Sequence, residues 1–259
     1  MKFDNGSEIG LLTSKVVPRK DPINELFWIW QHKSNSVKFL REELGCKVWN
    51  EWEREDGTIG KAYGWQLANK KREVKFTEEL YKMFNNGEIS RFYPSDKPSE
   101  GVKLDQVDYL IYKLKTNPYS RRIKTTLWCV EDLDDMALEP CVYETHFQMW
   151  NGKLNMTVGV RSNDLGLGNP YNIYQYSILH RLIAQVTDKE VGTICFNIDN
   201  AHIYDRHLEP LTEQIQRETF DAPNVWINPE IKSFYDFKIE DIVVSNYKHG
   251  DKVKLEVAI

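Results

Sequence analysis

The sequence predicts an α+β domain built around a mixed β-sheet, and three observations carry that expectation. Residues 153–160 alternate apolar and polar side chains with the period of a half-buried strand. Residues 172–185 (N-I-Y-Q-Y-S-I-L-H-R-L-I-A-Q) present a dense apolar face at helical spacing behind a capping-type residue, the pattern of a buried helix at the centre of a domain. The chain has 259 residues, 41% of them hydrophobic, which is enough for one sizeable core and within the range of a single domain.

The remaining elements follow in order. Between residues 22 and 44, Ile23, Leu26, Phe27 and Trp30, then Val37 and Leu40, recur at helical spacing. This predicts two helices separated by a break near Ser34-Asn35-Ser36, with Glu25 set inside the first apolar face. Residues 69–102 are polar, carry Asn85-Asn86-Gly87, Pro94 and Pro98, and read as an inserted excursion with room for a short helix. A helix is expected over 107–114, and residues 122–130 are rich in β-branched and apolar side chains, as a strand would be. No repeat or low-complexity tract interrupts the order, so helices and strands intermix within one domain, 1–259.

Bulk properties exclude several function classes. A formal net charge of −5 and a pI near 5.8 oppose a protein devoted to wrapping nucleic acid or lying on anionic lipid. Cys46, Cys129, Cys141 and Cys195 are widely spaced, with no C-x-x-C pair and no histidines clustered around them, so neither a zinc site nor a disulfide framework is expected. No apolar run is long enough to span a bilayer, and Met1-Lys2-Phe3-Asp4-Asn5 lacks the order of a signal peptide, which makes cytoplasmic residence the expectation.

Single residues say little about chemistry. An intracellular cysteine such as Cys141 is more often a small buried hydrophobe than a nucleophile. The pair Arg121-Arg122 fits a solvated turn. Arg161-Ser162 at a strand end suits a phosphate, because a guanidinium donates two parallel hydrogen bonds and stays charged, although a structural ion pair fits as well. Trp49 and Trp52, in a tryptophan-dense region, fit packing equally.

The combination is more informative. Residues 137–145 read A-x-E-P-C-V-Y-E-T, and residues 161–172 read R-S-N-D-L-G-L-G-N-P-Y-N. This resembles the thymidylate synthase family, whose pattern of P-C followed by R-S-x-D-x-x-L-G-x-P-[FY]-N is met by Pro140, Cys141, Arg161, Ser162, Asp164, Leu167, Gly168, Pro170, Tyr171 and Asn172. The resemblance runs along most of the chain. It includes L-L-T-S-K at 11–15, N-E-L-F-W at 24–28, V-W-N-E-W at 48–52, A-Y-G at 62–64, S-R-R at 120–122, A-H-I-Y-D-R-H at 201–207, F-Y-D-F at 234–237 and V-A-I at 257–259.

The resemblance implies a thymidylate-synthase-type fold, a mixed sheet with surrounding helices that packs against a second copy as a homodimer. It implies reductive methylation of dUMP to dTMP, with 5,10-methylenetetrahydrofolate supplying carbon and hydride and leaving as dihydrofolate, and with no metal. Cys141 is then the nucleophile toward uracil C6, and adding a thiolate there turns C5 into an enolate-type carbon. Glu25 manages protons, its apolar surroundings raising its pKa. Tyr63 is a catalytic-site tyrosine. Arg161 stabilises the thiolate as a neighbouring cation and also holds phosphate. Asn172 reads the O4 and N3 edge, and an amide there selects uracil over cytosine. The nucleotide site is completed by Ser162, Asp164, His202 and Tyr204, and by Arg121 and Arg122 reaching over from the partner subunit. The folate site comprises Trp49, Trp52, Asp164, Gly168, Ala258 and Ile259.

Departures from the pattern narrow the expectation. Val142 stands where the family often has histidine, Val160 where it often has glutamine, and Asp199-Asn200 where glycine-aspartate is usual. The family's N-terminal helix and strand, with a further phosphate-binding arginine, are not found before Phe3, and their loss is expected to weaken nucleotide binding. The alternatives are a dUMP hydroxymethylase, or an inactive homologue that keeps nucleotide binding or binds mRNA.

Overall fold

The computed structural model describes residues 7–96 and 101–257. Helix α1 (Lys20–Leu26) runs into a π-helical turn, Phe27–Gln31, whose five residues are all buried. The wider turn brings Gln31 round to the C-terminal part of the chain, where its amide donates to the carbonyls of Phe234 at 2.6 Å and Phe237 at 3.2 Å. After the expected break, Ser36 caps α2 (Val37–Glu42) by accepting from Phe39 N. Helix α3 (Gly64–Asn69) follows a 3-10 turn at Asn50–Trp52.

The described residues of 69–102, which are 69–96 and 101–102, carry more regular structure than an excursion requires. They carry β1 (Arg72–Val74), α4 (Glu78–Asn85), β2 (Tyr93–Pro94) and the start of β3 (Val102–Leu104), and the strands pair in the order β1-β3-β2. Val74, Leu80, Met83 and Ile89 are buried beneath them. Polar composition reflects a thin layer with one buried face, in which most side chains must meet water.

Helix α5 (Gln106–Thr116) spans the expected 107–114 and is capped by Asp105, which accepts from the amides of Val107 at 3.1 Å and Asp108 at 3.0 Å. Of residues 122–130 only β4 (Lys124–Thr126) is a strand. The rest turns away into the 3-10 segment Val130–Asp135, so the expectation of one long strand was too generous.

The main sheet has the order β4-β5-β6-β7, formed with β5 (Val142–Trp150), β6 (Lys153–Asp164) and β7 (Glu190–His202). β5 and β6 pair antiparallel through a tight turn, whereas β6 and β7 pair parallel and are joined by the crossover helix α6 (Gly168–Val186). The sheet is mixed, as expected. α6 is the central buried helix, but it begins four residues before Asn172, so Asn172 lies inside the helix and does not cap it. Leu154, Met156, Val158 and Val160 point from β6 into the core. Thr193, Cys195, Asn197 and Asp199 alternate outward along β7 and are exposed. Helix α7 (Leu208–Gln214) and the hairpin pair β8 (Asn224–Ile227) and β9 (Ile242–Ser245) complete the chain. No helix among the described residues is long and apolar enough to cross a membrane.

One buried ionic knot ties the thin layer to the core. Lys33 Nζ lies 2.6 Å from Asp105 Oδ2 and 2.8 Å from Ser90 Oγ, and Asp108 accepts from the Ser90 hydroxyl at 2.7 Å and the Tyr235 hydroxyl at 2.5 Å. Burial, and then the Asp108 carboxylate, raise the Asp105 pKa, while Lys33 opposes them. Removing the only lysine in the knot would leave two carboxylates uncompensated. Lys33→Met is therefore expected to cost about 3–5 kcal/mol in urea unfolding. A loss well below about 1 kcal/mol would show that the carboxylates do not need the ammonium.

Candidate functional site

The C-terminal end of the parallel pair gathers most of the chemically interesting side chains. Register sets Ser162 beside Asn200 and Asp164 beside His202. Cys141 precedes β5 at a register irregularity between Val142 and Glu144, a bulge that ends regular pairing at the strand mouth. Its carbonyl accepts from Arg161 N at 2.8 Å, so thiol and guanidinium spring from neighbouring backbone.

The Arg161 side chain is held from two sides. One Nη donates to the Glu139 carbonyl at 3.2 Å, and the guanidinium lies over the Trp128 ring at 5.7 Å. Its Nε is buried with no hydrogen-bond partner among the described residues. Leaving that one buried N–H unpaired is costly unless an acceptor such as an anion completes it. Arg161 lowers the Cys141 pKa, as expected from sequence, but burial acts more strongly in the opposite direction, and the net displacement of the thiol is upward. Burial thus favours the thiol over the thiolate, and the Arg161 charge works against it.

Tyr63 meets the same backbone. Its hydroxyl accepts from Cys141 N at 3.2 Å, and burial keeps its own pKa well above the ordinary value, so the phenol stays neutral. The residue adopts φ 46°, a left-handed conformation that tyrosine rarely takes. Gly64 explains why it is held there: a Cβ at that position would fall 2.3 Å from the Ser34 carbonyl oxygen, so only glycine lets this turn dock on the loop after the π-turn.

Glu25 is buried. One oxygen accepts from Trp49 Nε1, and the other from Gln175 Nε2 at 2.6 Å. Burial pushes the carboxyl up to about 7, while the two hydrogen bonds pull it down. Trp49 is itself buried, packing edge-on against Trp52 at 5.4 Å and Tyr63 at 5.1 Å, so its ring serves as wall while its N–H is given to Glu25. Trp52 is half-buried.

The Asn172 Oδ1 accepts from Asn163 Nδ2 at 3.2 Å, and Asn163 in turn accepts from Asn169 Nδ2 at 2.5 Å. This relay takes up the Asn172 Oδ1 and leaves its amide N–H groups as the remaining donors. His202 Nδ1 lies 3.1 Å from Asn200 Oδ1, and its ring stands edge-on to Tyr204 at 5.1 Å. Gly168 opens α6 with only ordinary contacts around it, the nearest at 3.8 Å from where a Cβ would sit. Arg121 and Arg122 are exposed in the turn before β4 and make no ion pair among the described residues. Ala258 and Ile259 lie outside the described residues.

Gln175, Asn163 and Trp128 were not singled out in the sequence. Each acts by orienting another side chain, and the only sequence signal was Gln175, a polar residue on the apolar face of α6; Asn163 shares the polar face of β6 with Asn155, Thr157 and Arg161. Among the described residues no cluster of three or more metal-ligating side chains occurs.

This arrangement has known counterparts. A family model for thymidylate synthase matches residues 1–259. The chain belongs to the thymidylate synthase family. Thymidylate synthase 1 of Bacillus subtilis (strain 168) is 50% identical over 259 residues, covering 100% of this chain and 83% of that protein. Thymidylate synthase 1 of Bacillus amyloliquefaciens is 49% identical over 257 residues, covering 99% of this chain and 100% of that protein. Among solved structures, the thermostable thymidylate synthase A from Bacillus subtilis superposes with a TM-score of 0.84 at 49% identity, covering 100% of this chain and 84% of that one. Val142 and Val160, departures from the common family pattern, are both buried core residues paired across β5 and β6.

The elevated Glu25 pKa has a measurable consequence. The folded state keeps a proton at Glu25 that the unfolded chain releases above its ordinary value near 4.5, so stability falls as pH rises from there through about 7. The shift corresponds to about 3 kcal/mol, fully expressed above pH 7 and absent at pH 4. In urea titrations, the stability of Glu25→Gln relative to wild type is expected to improve by that amount between pH 4 and pH 8. A difference that does not change with pH would place the Glu25 pKa near its ordinary value.

Proposed function

We infer that the protein carries out its family's reaction, the reductive methylation of dUMP to dTMP with 5,10-methylenetetrahydrofolate. The observation that carries this reading is the Cys141–Arg161 pairing, in which a half-buried arginine, its buried Nε without a hydrogen-bond partner among the described residues, donates its backbone N–H to the Cys141 carbonyl. Arg161 binds the dUMP phosphate together with Ser162, and its charge stabilises the thiolate as it adds to uracil C6. The amide of Asn172, oriented by Asn163, donates to O4, where negative charge develops, and so favours uracil. Glu25, with its pKa near neutrality, can hold or release a proton at the pyrimidine. His202 and Tyr204 receive the deoxyribose hydroxyl.

The folate supplies the one-carbon unit and the hydride. Its site is assigned to Asp164, Trp52 and Gly168, with Trp49 behind them and Ala258 and Ile259 from the family's closing motif. The Asp164 Oδ1 is taken by Gly166 N at 2.7 Å, while its other oxygen has no hydrogen bond among the described residues and is left to accept from a pterin N–H. The bare outer face of β7 and the exposed position of Arg121 and Arg122 support a two-fold homodimer in which those arginines serve the partner's phosphate. Four free cysteines suit a reducing, cytoplasmic setting. Residues 69–102 are read as an insertion into one domain spanning 1–259.

Dihydrofolate formation and release of the uracil C5 proton test the reading together. Cys141→Ala is expected to reduce both by more than about 1,000-fold while dUMP binding changes little. Proton release from wild type without dihydrofolate would identify a hydroxymethylase. Substituting Arg161→Lys should raise the KM for dUMP by about tenfold or more, since lysine cannot reproduce the fork. Mixing Cys141→Ala with an Arg121→Ala/Arg122→Ala double variant is expected to restore turnover, because hybrid dimers contain one intact site. Mixtures no more active than their parents would place both arginines in their own chain's site, or outside any site.

A further inference from the structure

Residues 250–257 fold back over the loop between β6 and α6, and one buried ring holds them there. His207, in the 3-10 turn Asp205–His207, is 1% exposed, and its Nε2 lies 2.8 Å from the Glu256 carbonyl oxygen. A carbonyl only accepts, so Nε2 carries the proton. Nδ1 is buried with no hydrogen-bond partner among the described residues and faces Asp164 Oδ1 at 3.9 Å. Gly166 sits beneath all three groups. A Cβ there would fall 3.3 Å from His207 Nδ1, 3.2 Å from Asp164 Oδ1 and 3.1 Å from Leu255 Cδ1.

That floor is itself anchored. Gly166 N donates to Asp164 Oδ1 at 2.7 Å, and the buried Lys15 Nζ donates to the Gly166 carbonyl at 2.5 Å. The segment has little adhesion of its own. Of residues 251–257 only Val253 is buried, and Arg217 holds the near end through the Asp251 carbonyl at 2.8 Å. Further along, the hydrogen bond from His207 to Glu256 is the one side-chain tether to main chain among the described residues.

We propose that His207 is a positioning residue for the folate side of the reaction, docking the C-terminal segment by its main chain and fixing it against the Asp164 carboxylate. The proposal rests on the assignment of Asp164 and the segment to the folate site. Because the bond goes to a carbonyl, docking does not depend on the segment's side chains. Because the same ring faces Asp164, any displacement of the ring moves segment and carboxylate relative to one another.

Two isosteres separate this role from simple packing. Glutamine places an amide N–H near the position of Nε2, whereas asparagine places it near Nδ1. His207→Asn is expected to speed carboxypeptidase trimming of the unliganded protein and to raise the folate KM, each by about tenfold, the measure of one lost hydrogen bond. The dissociation constant for dUMP should stay within about twofold, and His207→Gln should recover most of both losses. Trimming at the wild-type rate, equal damage from both variants, or a loss carried by dUMP affinity would overturn the proposal. Trimming needs no turnover, so an inactive wild type would defeat the proposed function while leaving the docking role measurable. A second full-length variant, Gly166→Val, keeps the ring and wedges the segment away. Modification of His207 by diethyl pyrocarbonate, mapped by mass spectrometry, should then rise by about tenfold, and unchanged modification would also overturn the proposal.

Discussion

The parallel pairing of β6 with β7 is the constraint on which the rest of the structure depends. Parallel neighbours cannot be joined by a tight turn, so a crossover must lie on the sheet, and here it is the nineteen-residue helix α6. The same geometry that requires α6 places its first turns at the C-terminal ends of the strands. Asn172 therefore arrives beside Asn163, and Gln175, one residue short of a turn further on, reaches Glu25 across the α1 contact. A register slip of one residue would turn Met156, Val158 and Val160 to the outer face and Arg161 into the core. Burial of those apolar side chains enforces the register, and the register in turn aligns Ser162, Asp164 and His202.

Buried charge is handled in two different ways. Around Lys33 the carboxylates of Asp105 and Asp108 are given a cation, amides and hydroxyls, so the charges are compensated within a few ångströms. Among the described residues Glu25 receives two side-chain hydrogen bonds and no cation, and burial outweighs them. The first arrangement holds layers together. The second leaves a carboxyl able to change protonation near neutral pH, which is useful only where a proton has to move.

Sequence pattern revealed those parts of the molecule whose physics is local. Periodicity located α5, β6 and the two short helices flanking Ser34-Asn35-Ser36, because one buried face repeats at a fixed spacing. It set the start of α6 four residues late: Gly168, Asn169 and Pro170 look like a loop, and tertiary packing carries the helix through them. Among the candidate residues, the family resemblance pointed to Cys141, Arg161, Ser162, Asp164 and Asn172, which the fold does bring to one strand end. It could not reveal Gln175, Asn163 or Trp128, whose effect lies in orienting a partner distant in the chain. Nor could it give the direction of the Cys141 shift, which depends on how far burial outweighs the Arg161 charge.

Tyr63 shows how backbone strain and hydrogen bonding combine at such a place. Its left-handed backbone costs on the order of 1–3 kcal/mol, and it persists because Gly64 is pressed against Ser34 and because the ring is wedged beside Trp49. In return, the hydroxyl satisfies the Cys141 amide, which lies just before the first residue of β5. A hydroxyl that accepts one hydrogen bond still has its own proton to give, and burial prevents the phenol from losing that proton to solvent. The strained turn therefore does two things. It fixes the backbone of the candidate nucleophile, and it keeps a neutral hydroxyl beside that residue.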